Sequence, residues 1–257
     1  MTRIIKINEP VPLSSNMIKT THYTIYNFIP KNLLFQFSKW ANSYFLFLLI
    51  LQLCPLFSVT SVIVVAIPLV FVVSVSMAKD ALEDYQRYKQ DYVQNSLCFE
   101  VANQGLTPSR DIKLGNVVIV YEDQQIPADL ILYTSENNGY SYTETKNLDG
   151  ETNMKLRIAI NNKPIKADAI PSLEYSKEPL SVEDPINQIY SFSGNFKDKP
   201  LLLDHTLWRG CTLRHTDFIV GVVIYSGSET RIQMNTGTKS VKLSTVDKKT
   251  NPAISFE

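Results

Sequence analysis

The sequence is short of several things that would point to a function. Its three cysteines, Cys54, Cys98 and Cys211, are isolated. With no CxxC spacing they exclude a disulfide framework and a thiolate metal site, and they read as small buried hydrophobes. His22, His205 and His215 show no ligand spacing. The chain also lacks net charge: 25 basic residues balance 25 acidic ones. That excludes a strongly basic nucleic-acid binder and an acidic disordered chain. Nine glycines in 257 residues exclude collagen-like and low-complexity classes. The chain has no Gly-rich phosphate loop, no Ser/His/Asp set and no metal-ligand cluster. The largest absence is local. Residues 40–78, 39 in a row, carry no charged side chain. No soluble fold needs such a run; a membrane does.

One helix crosses the hydrocarbon in about 20 apolar residues, so this run reads as a transmembrane hairpin. Its first helix is expected at about residues 41–57 and its second at about 60–78. Cys54-Pro55 and Ser58 mark the turn, because proline removes a backbone donor and clashes with the preceding helical turn. Pro68 should kink the second helix, which a membrane tolerates where neighbours re-satisfy the freed carbonyl. The run starts too late and is too long for a secretory signal.

Orientation follows from charge. Arg3, Lys6, Lys19, Lys31 and Lys39 precede the run against Glu9 alone, which predicts a cytoplasmic N-terminal segment. Two crossings return the chain to the same side, so the remainder is expected to be cytoplasmic too, in a multi-pass membrane protein. Beyond the hairpin, Ala78, Ala81, Leu82, Tyr85 and Tyr92 recur at helical spacing, with Lys79, Asp80, Glu83, Asp84, Arg87 and Lys89 on other faces. Glu83 and Arg87 stand in the favourable i, i+4 order. The second helix therefore reads on as a stalk.

From residue 97 the pattern changes to short β-rich runs at 117–121, 130–133, 140–145 and 218–225, bounded by Gly, Asn, Asp and Pro. The organisation predicted is an N-terminal segment (1–39), a two-helix hairpin (40–78), a stalk (79–96), a mainly β domain (97–235) and a linker (236–257). Residues 161–185, rich in Pro, Ser, Lys and Glu, read as a surface insertion. One loop could carry chemistry. Asp149-Gly150-Glu151-Thr152 follows a strand, and glycine permits the sharp turn that would present a carboxylate able to orient a water. On composition alone it is a commonplace hairpin.

Taken together these residues resemble the N-terminal part of the P4-type ATPases, the phospholipid flippase branch of the P-type ATPases. The resemblance runs through Tyr23 to Pro30, Gln36-Phe37, Asn42 and Tyr44 to Leu46. It continues at Pro68-Leu69, Lys79-Asp80, Glu83-Asp84 and Arg87, then at Ile126 to Asp129 and Thr145 to Lys155. It ends in Glu183 to Pro185, Phe192 to Gly194 and Arg209 to Arg214. The collinear order and the DGET loop make it specific, and DGET with Pro68 argues against a cation pump.

The resemblance implies a membrane α-helical hairpin plus a mainly β cytoplasmic domain of the actuator type, a distorted jelly roll. It implies that Glu151 positions and activates the water that hydrolyses an aspartyl phosphate, with Asp149, Gly150 and Thr152 shaping and docking the loop. Gln52, Asn42 and Ser43 are implied to border the substrate path, although interfacial placement at a helix start also accounts for Asn42 and Ser43. ATP and Mg2+ are implied as cofactors bound by phosphorylation and nucleotide-binding domains outside this sequence. The implied partners are the bilayer, a phospholipid substrate and an accessory β-subunit. The sequence departs from the family at Leu53, where a second polar residue is common, at His215, usually Asn, and at Arg231, usually Lys. It lacks the phosphorylated Asp-Lys-Thr-Gly-Thr motif, for which Asp247 to Thr250 is no substitute. Two expectations follow: the N-terminal portion of an ATP-driven phospholipid translocase, or a catalytically inactive membrane-anchored actuator module that binds or regulates a full-length P-type ATPase.

Overall fold

A computed structural model describes residues 2–11, 15–54, 61–161, 164–165, 175–176, 178–197 and 199–236. The expected hairpin turn at Pro55 and Ser58, most of the 161–185 segment and nearly all of the 236–257 linker lie outside the described residues. The described chain divides into a helical unit, residues 19–91, and a β unit, residues 2–18 with 92–236.

Three helices build the helical unit: α1 (Phe28–Phe37), α2 (Trp40–Leu53) and α3 (Val62–Ser96), whose last residues count with the β unit. Pro30 falls in the first turn of α1, where its missing N–H is not needed. The Val- and Ile-rich start of α3 would suit a strand in water. In hydrocarbon a lone segment satisfies its backbone only as a helix. Pro68 sits inside α3, which continues on both sides of it. Among the described residues α3 is the one helix long and apolar enough to cross a membrane. The 14 residues of α2 reach only about 21 Å at 1.5 Å each, short of a hydrocarbon core of about 30 Å. Helices α1 and α2 meet the same test only as a pair bent by 91°.

Helix α3 runs on to Ser96, and along that stretch Leu82, Tyr85 and Tyr92 are each at least 61% exposed. The opposite, acidic face is the one engaged. Asp91 accepts hydrogen bonds from the Thr20 backbone N–H (2.7 Å) and hydroxyl (2.8 Å), and Asp84 accepts from the N–H groups of His22 and Tyr23. One turn earlier, Asp80 accepts from Asn32 Nδ2 (2.9 Å) and Gln36 Nε2 (3.0 Å). These carboxylates recur at helical spacing, so one face of α3 binds the segment leading to α1 and then α1 itself.

In the β unit, β1 (Thr2–Ile5) precedes the helices in sequence. After them come β2 (Cys98–Val101), β3 (Gly105–Pro108), β4 (Val117–Tyr121), β5 (Asp129–Ser135), β6 (Tyr140–Glu144), a helical turn α4 (Lys146–Asp149) and β7 (Met154–Ile158). The remainder is β8 (Leu180–Glu183), β9 (Gly194–Phe196), β10 (Lys199–Leu201), β11 (Thr206–Leu207), β12 (Thr212–Arg214), β13 (Phe218–Tyr225) and a short α5 (Arg231–Thr236). Three antiparallel sheets result, ordered β11-β5-β13-β4-β2-β3, β1-β8-β9-β10 and β12-β6-β7. Every residue of β5 and β13 is buried, and their apolar runs at 130–133 and 218–225 suit strands covered on both faces.

Two expectations are corrected here. Residues 1–39 are not a segment apart from the β domain, because β1 pairs with β8 in register from Thr2 opposite Glu183 to Ile5 opposite Leu180. The 161–185 stretch is not all surface insertion either. Leu180 and Val182 are fully buried, since the Leu-Ser-Val-Glu alternation of β8 turns both inward.

The strap that carries the N-terminus over the domain is fixed by Asn16, itself 0% exposed. Its Nδ2 donates to the carbonyls of Ser109 (3.0 Å) and Pro127 (2.8 Å), and its Oδ1 accepts from Arg209 Nη1 (2.8 Å) and the Gly227 N–H (3.0 Å). Beneath it, Asp129 accepts the N–H groups of Arg209 (2.8 Å) and Arg231 (2.7 Å). Burial pushes the Asp129 carboxyl up to about 6, against those two donors. Gly115, at φ +85°, lets the strap approach closely; a Cβ there would stand 2.7 Å from the Glu9 carbonyl oxygen.

Candidate functional site

The Asp149–Thr152 loop joins β6 to β7, which pair from Tyr140 opposite Ile158 to Glu144 opposite Met154. It is not the tight Asp-Gly hairpin that composition alone would allow. Lys146–Asp149 makes one helical turn, in which the Leu148 and Asp149 N–H groups donate to the Thr145 carbonyl. Gly150 ends that turn in the left-handed conformation, φ +80°, and its N–H closes on the Lys146 carbonyl at 3.1 Å. Nothing lies within 4 Å of where a Cβ would stand, so the backbone angle and not crowding selects glycine.

Asp149 is the anchor. Its carboxylate accepts from Thr145 Oγ1 (2.9 Å), the Glu151 N–H (3.0 Å) and Lys155 Nζ (2.6 Å), and its side chain is 4% exposed. Burial alone would raise the Asp149 carboxyl, but the Lys155 ammonium and the donors from Glu151 and Thr145 prevail and hold it below the usual range. Burial likewise works to lower the Lys155 ammonium, and its bonds to Asp149 and Glu151 prevail and raise it. Asn147 adds a tie to the Gly210 carbonyl at 3.0 Å.

With Asp149 held down, Glu151 stands out. Its side chain is 52% exposed and forms an ion pair with Lys155 at 3.1 Å. Thr152 is exposed beside it. Chemically the loop presents one solvent-accessible carboxylate on a fixed backbone, with a cation beside it. The structure thus brings Asp149, Gly150, Glu151 and Thr152 together. Thr145 and Lys155 complete the arrangement and were not legible as members, because their roles depend on a helical turn inside what reads as a hairpin.

Asn42, Ser43 and Gln52 lie in the helical unit. Asn42 is buried and donates to the Gln36 carbonyl at 2.9 Å, and the Ser43 hydroxyl donates to the Phe37 carbonyl. Both therefore satisfy carbonyls left open at the end of α1, at the 91° bend. Gln52 is half-buried near the end of α2. Among the described residues no three His, Cys, Asp or Glu side chains converge to hold a metal. The sequence also has no Gly-rich loop for ATP.

Comparison with known proteins bears on what such a loop serves. A family model described as "Phospholipid-translocating ATPase N-terminal" matches residues 5–66. The chain is 38% identical over 255 residues to Phospholipid-transporting ATPase ID of Homo sapiens, covering 96% of this chain and 21% of that protein. It is 34% identical over 250 residues to Phospholipid-transporting ATPase FetA of Mus musculus, covering 94% and 21%. Phospholipid-transporting ATPase neo1 of Schizosaccharomyces pombe is 32% identical over 254 residues, covering 97% and 23%. The chain thus spans about a fifth of the length of the curated relatives it matches.

Proposed function

By sequence the chain belongs with the N-terminal region of the phospholipid-transporting P4-type ATPases, and on that premise we propose that it supplies the dephosphorylating loop and first membrane segments of an ATP-driven phospholipid translocase. In this reading the β unit is an actuator of distorted jelly-roll type. ATP and Mg2+ act through domains outside the described residues.

Glu151 is the general base. It takes a proton from a water whose oxygen attacks the phosphorus of an aspartyl phosphate. The phosphorus–oxygen bond to the aspartate breaks, leaving a free carboxylate and inorganic phosphate. Asp149 holds the loop down through Thr145 and Lys155, Gly150 turns it, and Thr152 docks it. The observation that carries this reading is the contrast within four residues between a tied-down Asp149 and a 52% exposed Glu151.

The N-terminal segment and β unit are placed on the cytoplasmic side, with α3 as one crossing and the region around α1 and α2 as part of another. The lipid path runs beside Gln52, with Asn42 and Ser43 shaping its bend. An accessory β-subunit is a further partner, in keeping with the family.

The test is Glu151→Gln in the gene's full product, reconstituted with phospholipid. A positioned base contributes about 10²–10⁴-fold, so the aspartyl phosphate should persist that much longer while thermal stability stays unchanged. Unaltered decay of the phosphoenzyme would overturn the assignment. Labelling of single cysteines at positions 31 and 151 in sealed vesicles should find both on one face.

A further inference from the structure

Helix α1 leaves part of its apolar surface bare while its polar edge is engaged. Asn32 and Gln36 meet Asp80 of α3 along that edge. At about 100° per residue, Ile29, Leu33 and Phe37 form a row on one flank of it, and Lys31 stands on the other. The chain itself finishes the lysine flank. Phe28 packs edge-on against Tyr23, 5.3 Å between ring centres, and Lys39 Nζ lies 5.4 Å over the Phe35 ring. The opposite flank stays open. Ile29 is 65% exposed and Leu33 38%, and Leu34, on the side facing away from Asp80, is 74% exposed.

Level, direction and charge together say what lies against this row. The charge-free stretch of α3 ends at Ala78, and Asp80 stands about 3 Å beyond it at 1.5 Å per residue. The bonds from Asn32 and Gln36 to Asp80 therefore hold α1 where α3 leaves its charge-free stretch. The 91° bend turns the axis of α1 away from that of α2, which carries no charged side chain. Charge is one-sided as well: residues 10–79 contain Lys19, Lys31, Lys39 and Lys79 and no acidic residue. On α3, Asp80 is taken up by Asn32 and Gln36, and Asp84 accepts from the N–H groups of His22 and Tyr23. A bare apolar flank beside a lysine flank fits a phospholipid surface. Apolar side chains reach the acyl boundary there while ammonium groups stay with the phosphates.

We infer that α1 lies in the plane of the bilayer surface as a lipid-docking helix, with Ile29, Leu33 and Phe37 immersed and Lys31 and Lys39 on headgroup phosphates. The inference rests on the crossing by α3 proposed above and goes beyond it. Of the bent pair, only α2 enters the hydrocarbon.

The test uses the full chain in phosphatidylcholine–phosphatidylserine nanodiscs, with the exposed Cys54 and Cys98 replaced by alanine. Nitroxides are attached one at a time through Ile29→Cys, Lys31→Cys, Leu33→Cys, Phe37→Cys and, on α3, Ile67→Cys. Collision with oxygen and with a water-soluble nickel chelate gives the depth of each. Labels at 29, 33 and 37 should share one depth, about 5–10 Å into the headgroup and acyl boundary, with the label at 31 in water. A crossing helix would instead deepen by about 12 Å from 29 to 37. Leu33→Glu, which puts a charge on the immersed flank, should raise the chelate's access at 29 to the level found at 31. With 67 in hydrocarbon, the inference alone is overturned by a depth gradient along α1, by water at 29 and 33, or by unchanged access at 29 in Leu33→Glu. Water at 67 would overturn the crossing by α3, and this inference with it.

Discussion

The two units of this chain are inside-out relative to each other. In the β unit the fully buried positions are Val, Ile and Leu, such as Leu130, Ile131, Leu132 and Val220, all at 0% exposure. In the helical unit Ile63, Ile67, Val70 and Phe71 are more than 60% exposed, while the buried residues include Asn32, Gln36, Asn42 and Asp91. One polypeptide can obey both rules only if its units meet different solvents. Water drives apolar side chains inward, and hydrocarbon removes that drive and penalises any polar group left facing it. The polar side chains of the helical unit are accordingly spent on one another and on open carbonyls, as Asp80 shows with Asn32 and Gln36.

The comparison is broken most directly by trimming one apolar residue in each unit. Leu132→Ala should destabilise the β unit by about 2–5 kcal/mol, read by chemical unfolding of the full chain in nanodiscs through Trp208 fluorescence. Ile67→Ala, which leaves no cavity, should stay within about 1 kcal/mol. Equal losses would mean that α3 packs as a soluble helix does.

A smaller effect tests the polar interior. Asp80→Ala strands the amides of Asn32 and Gln36, at about 1–3 kcal/mol for each buried orphan, and should expose Lys31 and Lys39 to trypsin. Asp80→Asn keeps an acceptor and should lose less. Indistinguishable digestion of the wild type and Asp80→Ala would show that the acidic face of α3 does not hold α1.

Within the β unit, the loop sharpens the same contrast on a local scale. Gly150→Ala meets open space but a left-handed backbone, so it should loosen the loop by about 1–2 kcal/mol, seen as faster amide exchange over 145–155 with global stability retained. The smallest effect is a titration. The folded Asp149 carboxyl lies below its unfolded value, so its contribution is complete above about pH 4 and is lost as pH falls through the folded value. The Glu151 amide resonance should report that midpoint below about pH 4. Lys155→Met should move it upward, and an unmoved midpoint would remove Lys155 from the anchor.

Much of this was legible beforehand for identifiable reasons. The charge-free run announced a membrane segment because charge is what hydrocarbon excludes. The buried β13 strand announced itself because both of its faces are covered. The acidic face of α3 was hidden, since Asp80, Asp84 and Asp91 read as ordinary solvated charges until residues 20–36 are laid against them. The strand at Leu180–Glu183 was hidden by four residues of alternation inside a polar stretch, and its partner β1 lies more than 170 positions away. His215 sits at φ +48°, a left-handed conformation that the sequence does not mark.

By itself the sequence determined which segments could face hydrocarbon, which runs could be strands, and that Gly150 follows a carboxylate and precedes another. These are properties of neighbours, set by side-chain polarity and backbone freedom. Only the tertiary structure decided which of those carboxylates is buried as an anchor and which stays half in water beside Lys155. Asp149 and Glu151 are the same chemistry two positions apart. What separates them is Thr145 and the Glu151 N–H, which bind Asp149 while Lys155 reaches both, so that a helical turn and a strand pairing bury the one carboxylate and leave the other in water.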